Sequence, residues 1–260
     1  MSSSPYSQLA GKPSLTAIWL ILLVALGIFF RVRQYAFDRS LWLDEASLSQ
    51  NIISRPLDRL LTEPLENNQA APLGLILLAK WSVLWLGDSD LVLRLVPFVF
   101  GILALFLALD ISHQVFHTDA ARVSFMGLIA AAPILVYYSS EIKQYGVDAC
   151  VTLLVLWTSF KFKRPEPKSL SALALVGSVA VWLAHPSVFV LAAVGAMFLI
   201  QALARRDPRM TLGYALVIAV WLANFWVAFS LSLGDIASNA YLVRYWQSGY
   251  APLSLDALGW

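Results

Sequence analysis

Charge is the scarcest commodity in this chain. Only 13% of its 260 residues are Asp, Glu, Lys or Arg, against about 25% in an ordinary soluble domain. So few charges cannot cover a water-facing surface at this length, which excludes a simple soluble globule and requires lipid against much of the exterior. The formal net charge is +2, too small for a nucleic-acid partner. There is one cysteine, Cys150, within an apolar run. It excludes an internal disulfide and says nothing about redox compartment. No small-residue cleavage site follows the first apolar run, residues 15–30, which is also too long for a signal-peptide core, so it is expected to be retained. No internal repeat or low-complexity segment is evident.

What is abundant is apolar and aromatic. Hydrophobic residues make up 59% of the chain, with ten Trp and nine Tyr, the aromatics suited to bilayer interfaces. Apolar runs cover residues 15–32, 72–86, 91–111, 122–138, 147–162, 169–184, 187–204 and 210–233. A crossing helix needs about 20 such residues, with a range near 17–25, and 72–86 is the shortest. Two short loops are basic, one with Lys161, Lys163, Arg164 and Lys168, the other with Arg205, Arg206 and Arg209. Basic loops face the cytoplasm. That places the His185-Pro186 turn between them outside, residues 141–146 outside and residues 113–121 inside. With Lys80 in its middle, 72–86 is expected not to cross. Residues 33–90 then form one long outer loop containing juxtamembrane helices, and Arg31 and Arg33 sit at the outer face. The expectation is an all-α, multi-pass transmembrane bundle of about seven spans in the plasma (inner) membrane. Residues 1–14 would be a cytoplasmic tail, 15–233 the bundle, and 234–260 the start of an outer loop.

Three stretches can carry chemistry. In Leu41-Trp42-Leu43-Asp44-Glu45-Ala46, two carboxylates stand just beyond the first span. Asp44 can cap a helix running to about Ser54, with Leu48 and Ile52 on its buried face. It can equally act as a general base toward an acceptor hydroxyl. In the second, a helix starting near Ser140 would put Glu141, Tyr145 and Asp148 on one face. Asp148 would then lie at the bilayer rim, where an ionisable group is costly and is a functional candidate unless it pairs with Lys143 or Arg94. In the third, Asn67, Asn68 and Gln69 precede Pro72. They serve either as turn formers or as hydrogen-bond partners for sugar hydroxyls. His113 and His117 are four residues apart without a third ligand, so no metal site is expected.

The order Trp42-Leu43-Asp44-Glu45, Asn68-Gln69-Ala70-Ala71-Pro72 and Ser140-Glu141-Ile142-Lys143-Gln144-Tyr145 resembles the GT-C superfamily of membrane glycosyltransferases. The likeness is to bacterial relatives of the protein O-mannosyltransferases and of the aminoarabinose transferase that modifies lipid A. Residues 241–253, with Tyr245-Trp246-Gln247-Ser248-Gly249, are similar to the outer loop after the seventh span in such proteins. The resemblance covers nearly the whole chain. It implies transfer of a sugar from a polyprenyl-phosphate donor to a lipid, glycan or protein hydroxyl at the outer face. Asp44, with Glu45 beside it, maps to the base, and either Glu141 or Asp148 to a second carboxylate. His185 maps to a basic group at the outer end of the fifth span. Lys143, Arg94 and His185 would meet the leaving phosphate, and Tyr145, Asn68 and Gln69 the substrate. No cofactor is required, although Asp44 with Asp148 can hold a divalent cation of the kind some members use. The aminoarabinose transferase has Lys-Pro where this chain has Ala71-Pro72, so that lysine does not carry over. Members of the superfamily are longer, and the chain is expected to be an N-terminal membrane half. The competing readings are a transporter or flippase, and a non-catalytic partner of a split enzyme.

Overall fold

The structure, a computed structural model, describes residues 14–162, 164–233 and 239–249. The described residues are helical and contain no strand. Four helices are long and apolar enough to cross a membrane: α1 (Leu15–Ala36), α6 (Leu95–Val115), α11 (Ser187–Ala204) and α12 (Pro208–Ala228, continued by a π-helical turn Phe229–Leu233). Their apolar side chains are largely on the outside: Trp19, Leu22 and Phe29 on α1 and Leu212, Leu222 and Trp226 on α12 are exposed. That is the surface of a protein solvated by hydrocarbon, and it makes this a membrane protein.

The remaining apolar runs form shorter helices. Two have 17 residues, α9 (Tyr145–Lys161) and α10 (Pro167–Leu183), about 26 Å each at 1.5 Å per residue. The run 122–138 is split into α7 (Asp119–Ala131) and α8 (Pro133–Tyr138), because Pro133 has no N–H and cannot continue the α7 ladder. Thr118 caps α7 by accepting from the Ala121 N–H, and Asp207 caps α12 by accepting from Arg209 and Met210. The largest core joins α9 to α12. There Phe198 stacks on Tyr214 with ring centroids 4.8 Å apart. The Trp221 indole lies in a slot over Gly177 and donates to the Leu173 carbonyl at 3.0 Å. Small residues of this kind let helices in lipid approach closely.

Between α1 and α6 the chain folds a cap at one end of the bundle: α2 (Leu43–Ser54), α3 (Leu57–Thr62), α4 (Leu73–Leu86) and α5 (Asp90–Leu93). Leu48 and Ile52 of α2 are buried as their spacing predicts, with Leu60, Ile76, Ala79 and Leu93. With 14 residues, α4 is about 21 Å long. Gly74 near its start lies against Trp182 and Leu183 at the end of α10, and Val83 near its end packs against the buried cluster built around Leu48, Ile52 and Leu93. Lys80 is buried because its ammonium donates to the Ile52 and Ile53 carbonyls at 2.8 and 3.1 Å, satisfying the open C-terminus of α2.

Arg31 departs from the expectation of an outer-face residue. α1 extends to Ala36, and Arg31 lies inside the bundle, 1% exposed. Its guanidinium donates to the Gly27, Ala130 and Ile129 carbonyls at 3.1, 3.3 and 3.1 Å. Ala130 and Ile129 end α7, where Pro133 leaves carbonyls without their usual donors. The segment between α1 and α6 consequently begins near Phe37 rather than at residue 33. Residues 1–13, 163, 234–238 and 250–260, which include the polar tail, Lys163 and the last part of the expected outer loop, lie outside the described residues.

Candidate functional site

The capped end of the bundle gathers side chains from all three stretches singled out in the sequence, the first and last about a hundred residues apart. Asp44 is the second residue of α2 rather than its cap; Trp42 holds the cap position, and its backbone N–H donates to the third helical residue, Glu45. The two neighbouring carboxylates consequently point into different surroundings. Glu45 is fully buried. It accepts from Arg94 Nε and Nη2 at 3.3 and 3.2 Å and from the Ile142 N–H at 3.0 Å, and it pairs with Arg39 at 3.0 Å. Arg94 is buried too, and its third donor goes to the Arg39 carbonyl at 2.6 Å. Glu45 and Arg94 thus satisfy each other and tie the start of α2 to the root of α6. Asp44 is 44% exposed, with the Lys143 ammonium beside it at 3.6 Å.

The segment before α9 is not helical from Ser140. Residues 139–144 form an irregular turn, and the helix starts at Tyr145. The Ile142 N–H is given to Glu45 and is lost to any helix, and Gly146 passes so close to the Tyr138 carbonyl that a Cβ there would lie 2.5 Å from its oxygen. Glu141 consequently leaves the Tyr145–Asp148 face and turns toward α2, where its Oε1 accepts from the Trp42 indole at 2.7 Å. Burial raises its carboxyl above the ordinary carboxylate range, opposed by that hydrogen bond. Lys143 is 7% exposed and donates to Gln69 Oε1 at 2.7 Å. Burial lowers its pKa, opposed chiefly by Asp44. Gln69 is delivered by a turn in which Asn67 and Asn68 both adopt positive φ, 59° and 52°, a conformation asparagine tolerates. Asn68 accepts from Asn239 at 3.0 Å.

Asp44, Lys143 and Gln69 are therefore brought together, and Tyr145 packs on Tyr138 with ring centroids 4.6 Å apart. Asp148 faces elsewhere. It pairs with neither Lys143 nor Arg94, and it lines a cavity with Arg31, Gly101 and Leu153 that contains no residue of the segment between α1 and α6. His185 sits in the tight turn between α10 and α11 without a hydrogen bond to the described residues. Burial pushes its imidazole down to about 4, so it is neutral at pH 7.

Sequence reasoning missed Arg39. Its guanidinium lies over the Tyr137 ring, 4.7 Å from the centroid, and its Nε and Nη2 have no partner. Glu141 Oε2 and Gln144 Oε1 are likewise unpaired. A cation five residues before the carboxylate pair was the available signal. Among the described residues no group of three or more His, Cys, Asp or Glu converges. Lys143 already stands as the cation beside Asp44, so the Asp44–Asp148 pair does not fit a divalent ion. No protein-family model and no curated protein matches this chain.

Proposed function

We propose that the chain is the membrane-embedded catalytic part of a GT-C-type glycosyltransferase acting at the outer face of the membrane. The observation that carries this reading is the half-exposed Asp44 held beside Lys143, which also donates to Gln69, at the capped end of the bundle. In this reading α1, α6, the broken α7–α8 pair, α9, α10, α11 and α12 make seven spans, the N-terminus is cytoplasmic and α4 rests at the outer leaflet. Asp44 takes the proton of an acceptor hydroxyl as its oxygen attacks C1 of the sugar. The C1–O bond to phosphate breaks, and the polyprenyl phosphate leaves with the bonding pair, inverting the anomeric centre. Lys143, with Arg39 as it turns its spare donors outward, meets the developing phosphate charge. The unpaired acceptors of Glu141 and Gln144 suit sugar hydroxyls. Glu45 and Arg94 position this group rather than touch substrate.

The experiment is transfer by membranes containing the protein, offered a panel of polyprenyl-phosphate sugars, with release of polyprenyl phosphate as the readout. Asp44→Asn is expected to fold normally and to lose about 10²–10⁴-fold in rate. Near-normal turnover in that variant refutes the role of Asp44. A transporter is the second reading, favoured by Arg31 and Asp148 lining a cavity beside the α7–α8 break, since transport sites gather at discontinuous helices. It predicts substrate movement without bond cleavage.

A further inference from the structure

The cavity lined by Arg31 and Asp148 has a polar pattern that the proposed chemistry leaves unused. It measures about 300 Å³ and lies among α1, α6, α7–α8 and α9. Arg31 is one and a half turns from the end of α1, and Asp148 is in the first turn of α9, so the cavity sits just below the capped end. Most of its wall is hydrocarbon, including Ala104, Ile129, Ala149 and Leu153. Gly101 lets Ser139 approach closely, since a Cβ there would lie 2.5 Å from the Ser139 Cβ, and it borders the Arg31 side chain, whose Nε would be 3.5 Å from that Cβ.

Two charged groups and the Thr152 hydroxyl interrupt that wall, and only the charged groups are left with unpaired buried atoms. Arg31 spends both terminal nitrogens on backbone carbonyls, but its Nε has no partner although the residue is 99% buried (1% exposed). Asp148 accepts no hydrogen bond among the described residues, and its Oδ1 is buried and unpaired. The two are not within ion-pair distance of each other. Leaving such groups unmatched in a buried site is unfavourable, so the cavity favours an occupant that supplies one acceptor and one donor. The wall adds two requirements. The occupant must be mostly hydrocarbon, and it must carry no net charge, because Arg31 and Asp148 together contribute none. An aliphatic chain alone leaves both groups unpaired, and a phosphate faces the Asp148 carboxylate.

We infer that this cavity is a binding site for a lipid alcohol, its hydroxyl accepting from Arg31 Nε and donating to Asp148 after small rotations of the two side chains. The site is distinct from the Asp44 cluster and holds whether or not the chain transfers sugar. The test uses the full chain in lipid nanodiscs, labelled with a diazirine analogue of 1-decanol and mapped by mass spectrometry. Saturable labelling of α1 and α9 peptides is expected, competed by 1-decanol and much less by decane or decyl phosphate. Asp148→Ala should weaken competition by decanol about three- to tenfold, the value of one hydrogen bond, and Ala149→Phe, which fills the cavity, should abolish labelling. Unchanged thermal unfolding of the two variants separates lost binding from lost fold. Equal competition by decane would make the site an apolar void, stronger competition by decyl phosphate an anion site, and non-saturable labelling a water-filled space. Each of these overturns the inference.

Discussion

Asp44 and Glu45 are adjacent and chemically alike, yet substituting them should have opposite consequences. Glu45 is the counter-charge of two guanidinium groups, Arg94 at 3.2 Å and Arg39 at 3.0 Å, and also accepts the Ile142 N–H. In Glu45→Gln the charge disappears while Arg94 stays buried. Removing one partner of a buried pair costs about 3–5 kcal/mol. Asp44 is half-exposed and faces Lys143 at 3.6 Å, a geometry in which an ion pair contributes about 0–1 kcal/mol. Asp44→Asn should therefore unfold much like the parent. Tryptophan fluorescence during denaturant unfolding in micelles measures both. The double variant Glu45→Leu with Arg94→Met should recover much of the loss, because well-packed apolar groups can replace a buried pair at little net cost. Equal stability of Glu45→Gln and Asp44→Asn would refute the division of labour between the two carboxylates.

Two further outcomes follow from the packing and the charges. Gly177→Ala places a Cβ 2.0 Å from Trp221 Nε1 and should destabilise the α10–α12 contact by about 1–3 kcal/mol, read from the same unfolding curves. His185 titrates at about 4 in the folded protein, against 6.5 for the free side chain. Between those values the unfolded chain binds more protons, so this contribution is fully present above pH 6.5. It declines as the pH falls toward 4, by up to about 3 kcal/mol. His185→Phe should flatten that part of the stability profile, and an unchanged profile contradicts the burial of the imidazole.

Much of the helical layout was legible because it rests on local signals. The Leu48–Ile52 spacing marked the buried face of α2, the apolar runs marked the long helices, and the shortness of 72–86 set it apart. What was not legible depends on partners distant in sequence. Arg31 reads as a charge beyond a span until Pro133 is seen to free carbonyls about a hundred residues away. Glu45 and Asp44 cannot be told apart until Arg94 arrives beside the first and Lys143 beside the second. The helix expected from Ser140 fails because Glu45 claims the Ile142 N–H, a long-range hydrogen bond invisible to periodicity.

The central claim is that the Asp44 cluster faces the aqueous phase outside the cell. Asp44→Cys, in a background carrying Cys150→Ala, offers a single thiol at a half-exposed position. A membrane-impermeant maleimide should label it in intact cells as fully as after permeabilisation. Labelling only after permeabilisation would invert the bundle, place Asp44 in the cytoplasm and contradict the proposed outer-face transfer.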